Sequence, residues 1–277
     1  MQINEVVWQL IMVGNYLSCR LAWAGGVALG AWVAGGISGA HINPAVTLAL
    51  GAFRGFPARK IPGYLLAQTL GCMVGALLIY FLYRFGITDY EGSLARTVHG
   101  PHATAGLFFT MPLPFVPLAT AYVTEAVATG TLLFLVLAFM DQDNWGLRRG
   151  SLPIGLFFAI LGIGSSLGAN TGYALNPARD LGPRLALCFL GYGWDVWTHD
   201  KAYWFWGPVL STVLGGLLGT FLYDVLLYTG EDSWVNRKCV VAETPCADRR
   251  EESPEHALFL SAEERSGTDA GEPARSA

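Results

Sequence analysis

The chain has 277 residues, 53% hydrophobic and only 14% charged, with a mean hydropathy of +0.41 and a formal net charge of −4. A soluble domain of this size carries roughly a quarter charged residues, so the composition excludes an ordinary soluble domain. The 34 glycines, set among long uncharged runs, point instead to helices packed closely in lipid.

The start, "MQINEVVWQL", has no basic flank and no small-residue cleavage site, so it does not read as a cleaved signal peptide. The following "NEVVWQLIMVGNYLSC" is short and carries Glu5 and Asn15, so residues 1–20 are expected to form an N-terminal remnant or loop. A spanning helix needs about 20 mostly apolar residues. Five stretches qualify: residues 21–39, 61–83, 118–139, 152–169 and 204–228. Two further apolar runs, residues 44–53 and 177–190, are too short to cross.

Each short run begins at the proline of an Asn-Pro-Ala. The first lies in "SGAHINPAVTLAL" (Asn43, Pro44, Ala45) and the second, 133 positions later, in "GANTGYALNPARDLGPRL" (Asn176, Pro177, Ala178). Proline costs nothing in the first helical turn, where its missing N–H would be unpaired anyway. Asn43 and Asn176 stand where N-caps belong. Each repeat therefore reads as a half-helix that starts inside the membrane, where broken backbone is tolerated only against protein or a water-filled cavity. Two such N-termini meeting near the midplane, each with about half a positive charge, oppose cations and protons. The Asn43 and Asn176 amides can donate to a passing oxygen, which suits a neutral, hydroxyl-bearing solute. A single Asn-Pro-Ala could be a plain helix-start signal; two copies, each after an uncharged span, argue for a pore.

Arg54, Arg59 and Lys60, then Arg148 and Arg149, then Arg237 and Lys238 fall on one side if the half-helices re-enter. That side is expected to be cytoplasmic, and the loop over residues 84–119 lies opposite. Residues 229–277 are polar and charge-rich and read as a disordered cytoplasmic tail. The pairs Gly26/Gly30, Gly71/Gly75 and Gly215/Gly219 have the four-residue spacing that lets helices pack closely. Five cysteines show neither metal-ligand spacing nor an obvious pairing. No cofactor, metal or nucleic-acid partner is expected, and nothing suggests an energy-coupled transporter or an enzyme.

The two signature stretches resemble those of the major intrinsic protein family, the aquaporins, over residues 21–228. Asp180 directly after Arg179, with the extended "RDLGPRL", resembles the glycerol-conducting branch, the aquaglyceroporins. The resemblance implies an all-α inverted repeat with five spans and two re-entrant half-helices, a passive channel for glycerol, water and other small neutral solutes. It also implies a homotetramer in a bilayer, with the plasma membrane the expected location. By the family's motif spacing, the narrowest point is built from Trp23, Gly164, Tyr173 and Arg179. Arg179 offers fixed donors to hydroxyls and repels cations. Trp23 and Tyr173 form an apolar corner, and the bareness of Gly164 is expected to widen the constriction. Tyr173 stands where the bacterial glycerol facilitator has phenylalanine, so its hydroxyl either narrows the site or adds a hydrogen bond. His41 resembles the family's histidine near the first motif, in a loop-holding role ahead of a pH-sensing one. Glu125 lies inside a span, where a carboxylate needs a partner; the resemblance implies hydrogen bonds from the second loop's backbone. The repeat offset puts its counterpart ahead of Met1, so the first motif is expected to lack one supporting helix. A water-selective channel and a truncated, non-conducting subunit are the two rival readings.

Overall fold

A computed structural model describes residues 15–230 together with Ser233, Val235 and Asn236. These belong to one compact unit that spans Met1–Lys238; the expected tail lies almost wholly outside the described residues. Among the described residues helices are the only regular secondary structure. We number the α-helices α1 (Tyr16–Ser38), α2 (Pro44–Phe53), α3 (Ile61–Glu91), α4 (Leu118–Met140), α5 (Leu152–Leu167), α6 (Pro177–Leu187), α7 (Asp195–Trp204) and α8 (Thr212–Leu226).

Local chemistry sets the ends. α1 starts five residues before the expected 21, so residues 16–20 are helix and not loop, while residues 1–14 of that expected segment lie outside the described residues. Asn15 is not a polar interruption but an N-cap: its side chain accepts from the Ser18 N–H, and Ser18 Oγ accepts from the Asn15 N–H at 2.7 Å. This reciprocal pair satisfies two orphan donors of the first turn. Gly39, with φ 75°, then stops α1 in the left-handed region that suits glycine. α3 runs on to Glu91, beyond the expected 83, until Gly92 ends it in the same way.

Among the described residues, four segments are long and apolar enough to cross a membrane: Tyr16–Ser38, Ala58–Glu91, Leu118–Met140 and Asp195–Leu226. The fifth expected span, α5, has only 16 residues, about 24 Å of helix at the standard rise. That is somewhat short of a hydrocarbon core of about 30 Å. In the last segment, residues 199–202 leave helical geometry, and a π-helical stretch, Phe205–Ser211, leads into α8.

The packing follows a twofold pattern. α1 lies against α5, half-helix α2 against α8, and half-helix α6 against α3. α4 packs along α8 through glycine: a Cβ added at Gly215 or Gly219 would stand 2.1 Å from the carbonyl oxygen of Ala126 or Gly130. Gly71/Gly75 and Gly26/Gly30 share the spacing but not the contact, since a Cβ at any of them would meet nothing within 4 Å. Only one of the three glycine pairs therefore brings two helices of the described chain together. α3 accordingly exposes Leu66, Leu70, Leu78, Leu82 and Phe85. At the far end of α2, Arg54 makes a two-pronged ion pair with the fully buried Asp224 of α8 and lies 4.1 Å above the Tyr228 ring.

Candidate functional site

The two Asn-Pro-Ala segments are built alike. Asn43 Oδ1 accepts from the Ala45 N–H at 2.8 Å, and Asn176 Oδ1 accepts from the Ala178 N–H at 3.0 Å. Pro44 and Pro177 open their half-helices, α2 and α6. The residues one and three places before each asparagine have positive φ: Ala40 (48°) and Ile42 (42°) in the first, Tyr173 (44°) and Leu175 (55°) in the second. Such angles are unfavourable for bulky side chains, above all β-branched Ile42, and persist only where surroundings impose them.

That imposition is reciprocal. Asn43 Nδ2 donates to the Leu175 carbonyl and Asn176 Nδ2 to the Ile42 carbonyl, each at 2.8 Å. The two loops are thereby tied across the repeat axis, and each amide keeps one N–H beyond this bond. Both asparagines are thus brought together as the repeat implied, and each half-helix points its N-terminus at the other motif.

Glu125 of α4 is fully buried beneath the second loop. It accepts from Thr171 Oγ1 at 2.6 Å, the Ala174 N–H at 2.9 Å and the Leu175 N–H at 3.2 Å. Three donors satisfy the carboxylate and hold the strained segment before Asn176. The first loop is held differently. His41 packs between the rings of Phe56 and Tyr64, at centroid distances of 4.6 and 5.1 Å, with Nδ1 3.2 Å from Thr47 Oγ1. Thr47 also accepts from Gln68 Nε2 at 2.9 Å. This is a packing and loop-holding arrangement.

The four residues assigned to the constriction come together. The Arg179 guanidinium lies 4.4 Å from the centre of the Trp23 ring, and its Nη1 donates to the Phe108 carbonyl at 3.0 Å. Tyr173 lies directly on Gly164: a Cβ at position 164 would stand 2.9 Å from Cζ and 3.2 Å from Oη of Tyr173. Gly168, one turn on, extends the same shelf, its Cβ position 2.7 Å from Cδ1 of the ring. The bareness of Gly164 therefore seats the tyrosine ring, and the expected widening is corrected: the space is occupied. The Tyr173 hydroxyl is buried.

Asp180 is fully buried and does not face the pore. It accepts from the N–H and Oγ1 of Thr110, at 2.8 and 2.6 Å, and pairs with Arg184 one turn along α6. Arg184 in turn donates to the Thr110 carbonyl at 2.9 Å and lies 3.8 Å above the Phe109 ring. This cluster pulls residues 108–110 of the long loop down onto α6, which is what places the Phe108 carbonyl beside Arg179. Phe108 and Thr110 went unmarked in the sequence because neither sits in a motif. The carboxylate of Asp180 beside Arg179 is the one pointer in the sequence, since it demands donors from elsewhere.

Known proteins match this arrangement. The profile of the major intrinsic protein family matches residues 1–223. An aquaporin of Laccaria bicolor is 48% identical over 79% of this chain and 82% of its own length. An aquaglyceroporin of Rhizophagus irregularis is 45% identical over 85% of this chain and 74% of its own. The X-ray structure of the aquaglyceroporin from Plasmodium falciparum superposes with a TM-score of 0.69 at 33% identity, covering 77% of this chain and 83% of that one. Two facing half-helices, the paired Asn-Pro-Ala motifs and these relatives agree: the chain belongs to the major intrinsic protein family, the aquaporins, and is a membrane channel, not an enzyme.

Proposed function

We propose that the channel conducts glycerol, water and other small neutral solutes passively. The observation that carries this reading is the constriction's two-sided chemistry. The rings of Trp23 and Tyr173 offer an apolar corner for a carbon backbone. Opposite in character, Arg179 is held by the Phe108 carbonyl with donors left for hydroxyls. Solute hydroxyls then pass to the remaining N–H groups of Asn43 and Asn176, while the two half-helix N-termini and Arg179 oppose cations. The similarity to proteins named aquaglyceroporins supports the same branch. Residues 21–228 carry the pore in this reading, four copies assemble with one pore each, and the C-terminus lies on the cytoplasmic side of the plasma membrane.

One observation favours a water-selective channel: the Tyr173 ring fills the space over Gly164. Stopped-flow light scattering of proteoliposomes separates the two readings. Glycerol re-swelling well above that of empty vesicles supports the glycerol channel; fast water flux without it supports the other. In the same vesicles Arg179→Val is expected to admit protons or small cations that the parent excludes. Unchanged cation leak in a normally reconstituted variant would count against Arg179 as the charge barrier.

A further inference from the structure

Arg20 belongs to no motif, yet it is a cation on the membrane-crossing helix α1, one turn before Trp23, and only 2% exposed. A charge at such a place is costly unless its surroundings use it. Its guanidinium carbon lies 4.0 Å from the centre of the Tyr16 ring and 4.5 Å from that of Tyr173. Both distances are within the range of a cation–π contact, which is strongest where water is excluded. Tyr16 is itself anchored, because its Oη donates to the Gly164 carbonyl at 2.8 Å. The stack Tyr16–Arg20–Tyr173 therefore closes on one residue: Tyr16 holds Gly164 by its hydroxyl, and the Tyr173 ring rests on the same glycine. Tyr173 also has an unfavourable positive φ, so its backbone alone does not favour this pose. Each aromatic of the constriction thus has a guanidinium beside it, Arg179 at Trp23 and Arg20 at Tyr173.

We propose that Arg20 is a specificity-determining positioning residue: stacked between Tyr16 and Tyr173, it pins the Tyr173 ring on Gly164 and so sets the largest neutral solute the constriction admits. Arg20 does not touch the solute; it acts through Tyr173. The planar guanidinium is required because it can lie against two rings at once, which a lysine ammonium on its flexible stem cannot. The inference rests on reading Trp23, Gly164, Tyr173 and Arg179 as the narrow point, but not on which solute passes there.

The test uses the full chain in vesicles and a size series of water, urea, glycerol and erythritol. Arg20→Leu is expected to raise permeability to the most retarded solute, relative to water, by at least about threefold, the weight of even an exposed cation–π contact. Arg20→Lys keeps the charge and is expected to loosen the cut-off to a similar degree. In a Tyr173→Ala background Arg20→Leu should change the ratio less than about twofold, because the two residues act as one unit. An unaltered cut-off in Arg20→Leu, a cut-off retained in Arg20→Lys, or an Arg20 effect of full size without Tyr173 would overturn the proposal. If the parent passes water alone, the glycerol reading fails, while Arg20→Leu still decides this one by admitting urea or not. A readout independent of flux is fluorine NMR of fluorotyrosine-labelled protein, with the Tyr173 signal assigned by Tyr173→Phe. A Tyr173 resonance that shifts or broadens in Arg20→Leu supports the pinning; an identical resonance overturns it.

Discussion

Adding a single methyl group at Gly164 tests the constriction most directly. In Gly164→Ala the new Cβ would stand 2.9 Å from Cζ, 3.0 Å from Cε2 and 3.2 Å from Oη of Tyr173. Carbon atoms in contact prefer about 3.5–4.0 Å, so the ring must retreat by roughly half an ångström or more. It cannot retreat freely, because Arg20 lies 4.5 Å from its centre on α1 and the backbone at Tyr173 is held through the Glu125 contacts at Thr171, Ala174 and Leu175. Overpacking of this kind costs about 1–3 kcal/mol. If the displaced ring narrows the pore, that cost falls on the passing solute. At about 1.4 kcal/mol per factor of ten, glycerol flux drops about fivefold to a hundredfold, and water, being smaller, loses less. Gly164→His, with more bulk, shifts the balance further toward water. The assay is stopped-flow shrinkage and re-swelling of vesicles in glycerol, normalised to reconstituted protein and run beside a water gradient. A Gly164→Ala channel with parental glycerol and water fluxes and unchanged thermal stability would refute the seating of Tyr173 on Gly164. Equal loss of both fluxes would refute Gly164 as a determinant of selectivity.

Glu125→Gln keeps the shape but gives up acceptor capacity, so an amide N–H₂ faces a backbone N–H beneath the second loop. The expected cost is about 1–3 kcal/mol for an unsatisfied buried donor, seen as a lower melting temperature in detergent and reduced flux; an unchanged melting temperature would contradict the brace. Gly219→Ala puts a Cβ 2.1 Å from the Gly130 carbonyl oxygen, whereas Gly71→Ala meets nothing within 4 Å. The first is expected to destabilise by about 3 kcal/mol or more, and the second to stay within about 0.5 kcal/mol. Size-exclusion profiles and thermal unfolding of the two variants, measured side by side, check the contrast, and equal effects would refute it.

Local rules made much of the pore legible in the sequence. Proline in the first turn and asparagine at the N-cap act within three or four residues, so both half-helices could be placed from "HINPAV" and "ALNPAR" alone. Hydropathy located the cores of α1, α3, α4 and α8 because lipid rewards unbroken apolar length. Glu125 declared itself as a buried carboxylate in need of donors. The start of α1 was equally local, in the capping pair Asn15 and Ser18, but an asparagine in an apolar run reads first as an interruption.

Tertiary structure decided the rest, because it depends on which distant surfaces meet. "Gly-x-x-x-Gly" occurs on α1, α3 and α8 with the same spacing, yet among the described residues only Gly215 and Gly219 have a partner backbone against them. The bareness of Gly164 admits two opposite meanings, an open lumen or a seat for a ring, and only the placement of Tyr173 chooses the second. Phe108 reaches Arg179 across 71 residues and Tyr16 reaches Gly164 across 148. The sequence alone determined where the half-helices start and where the long apolar helices run, since both follow from short-range capping and hydropathy. That the Tyr173 ring rests on Gly164, and that Arg20 stands beside that ring, follow only from tertiary packing.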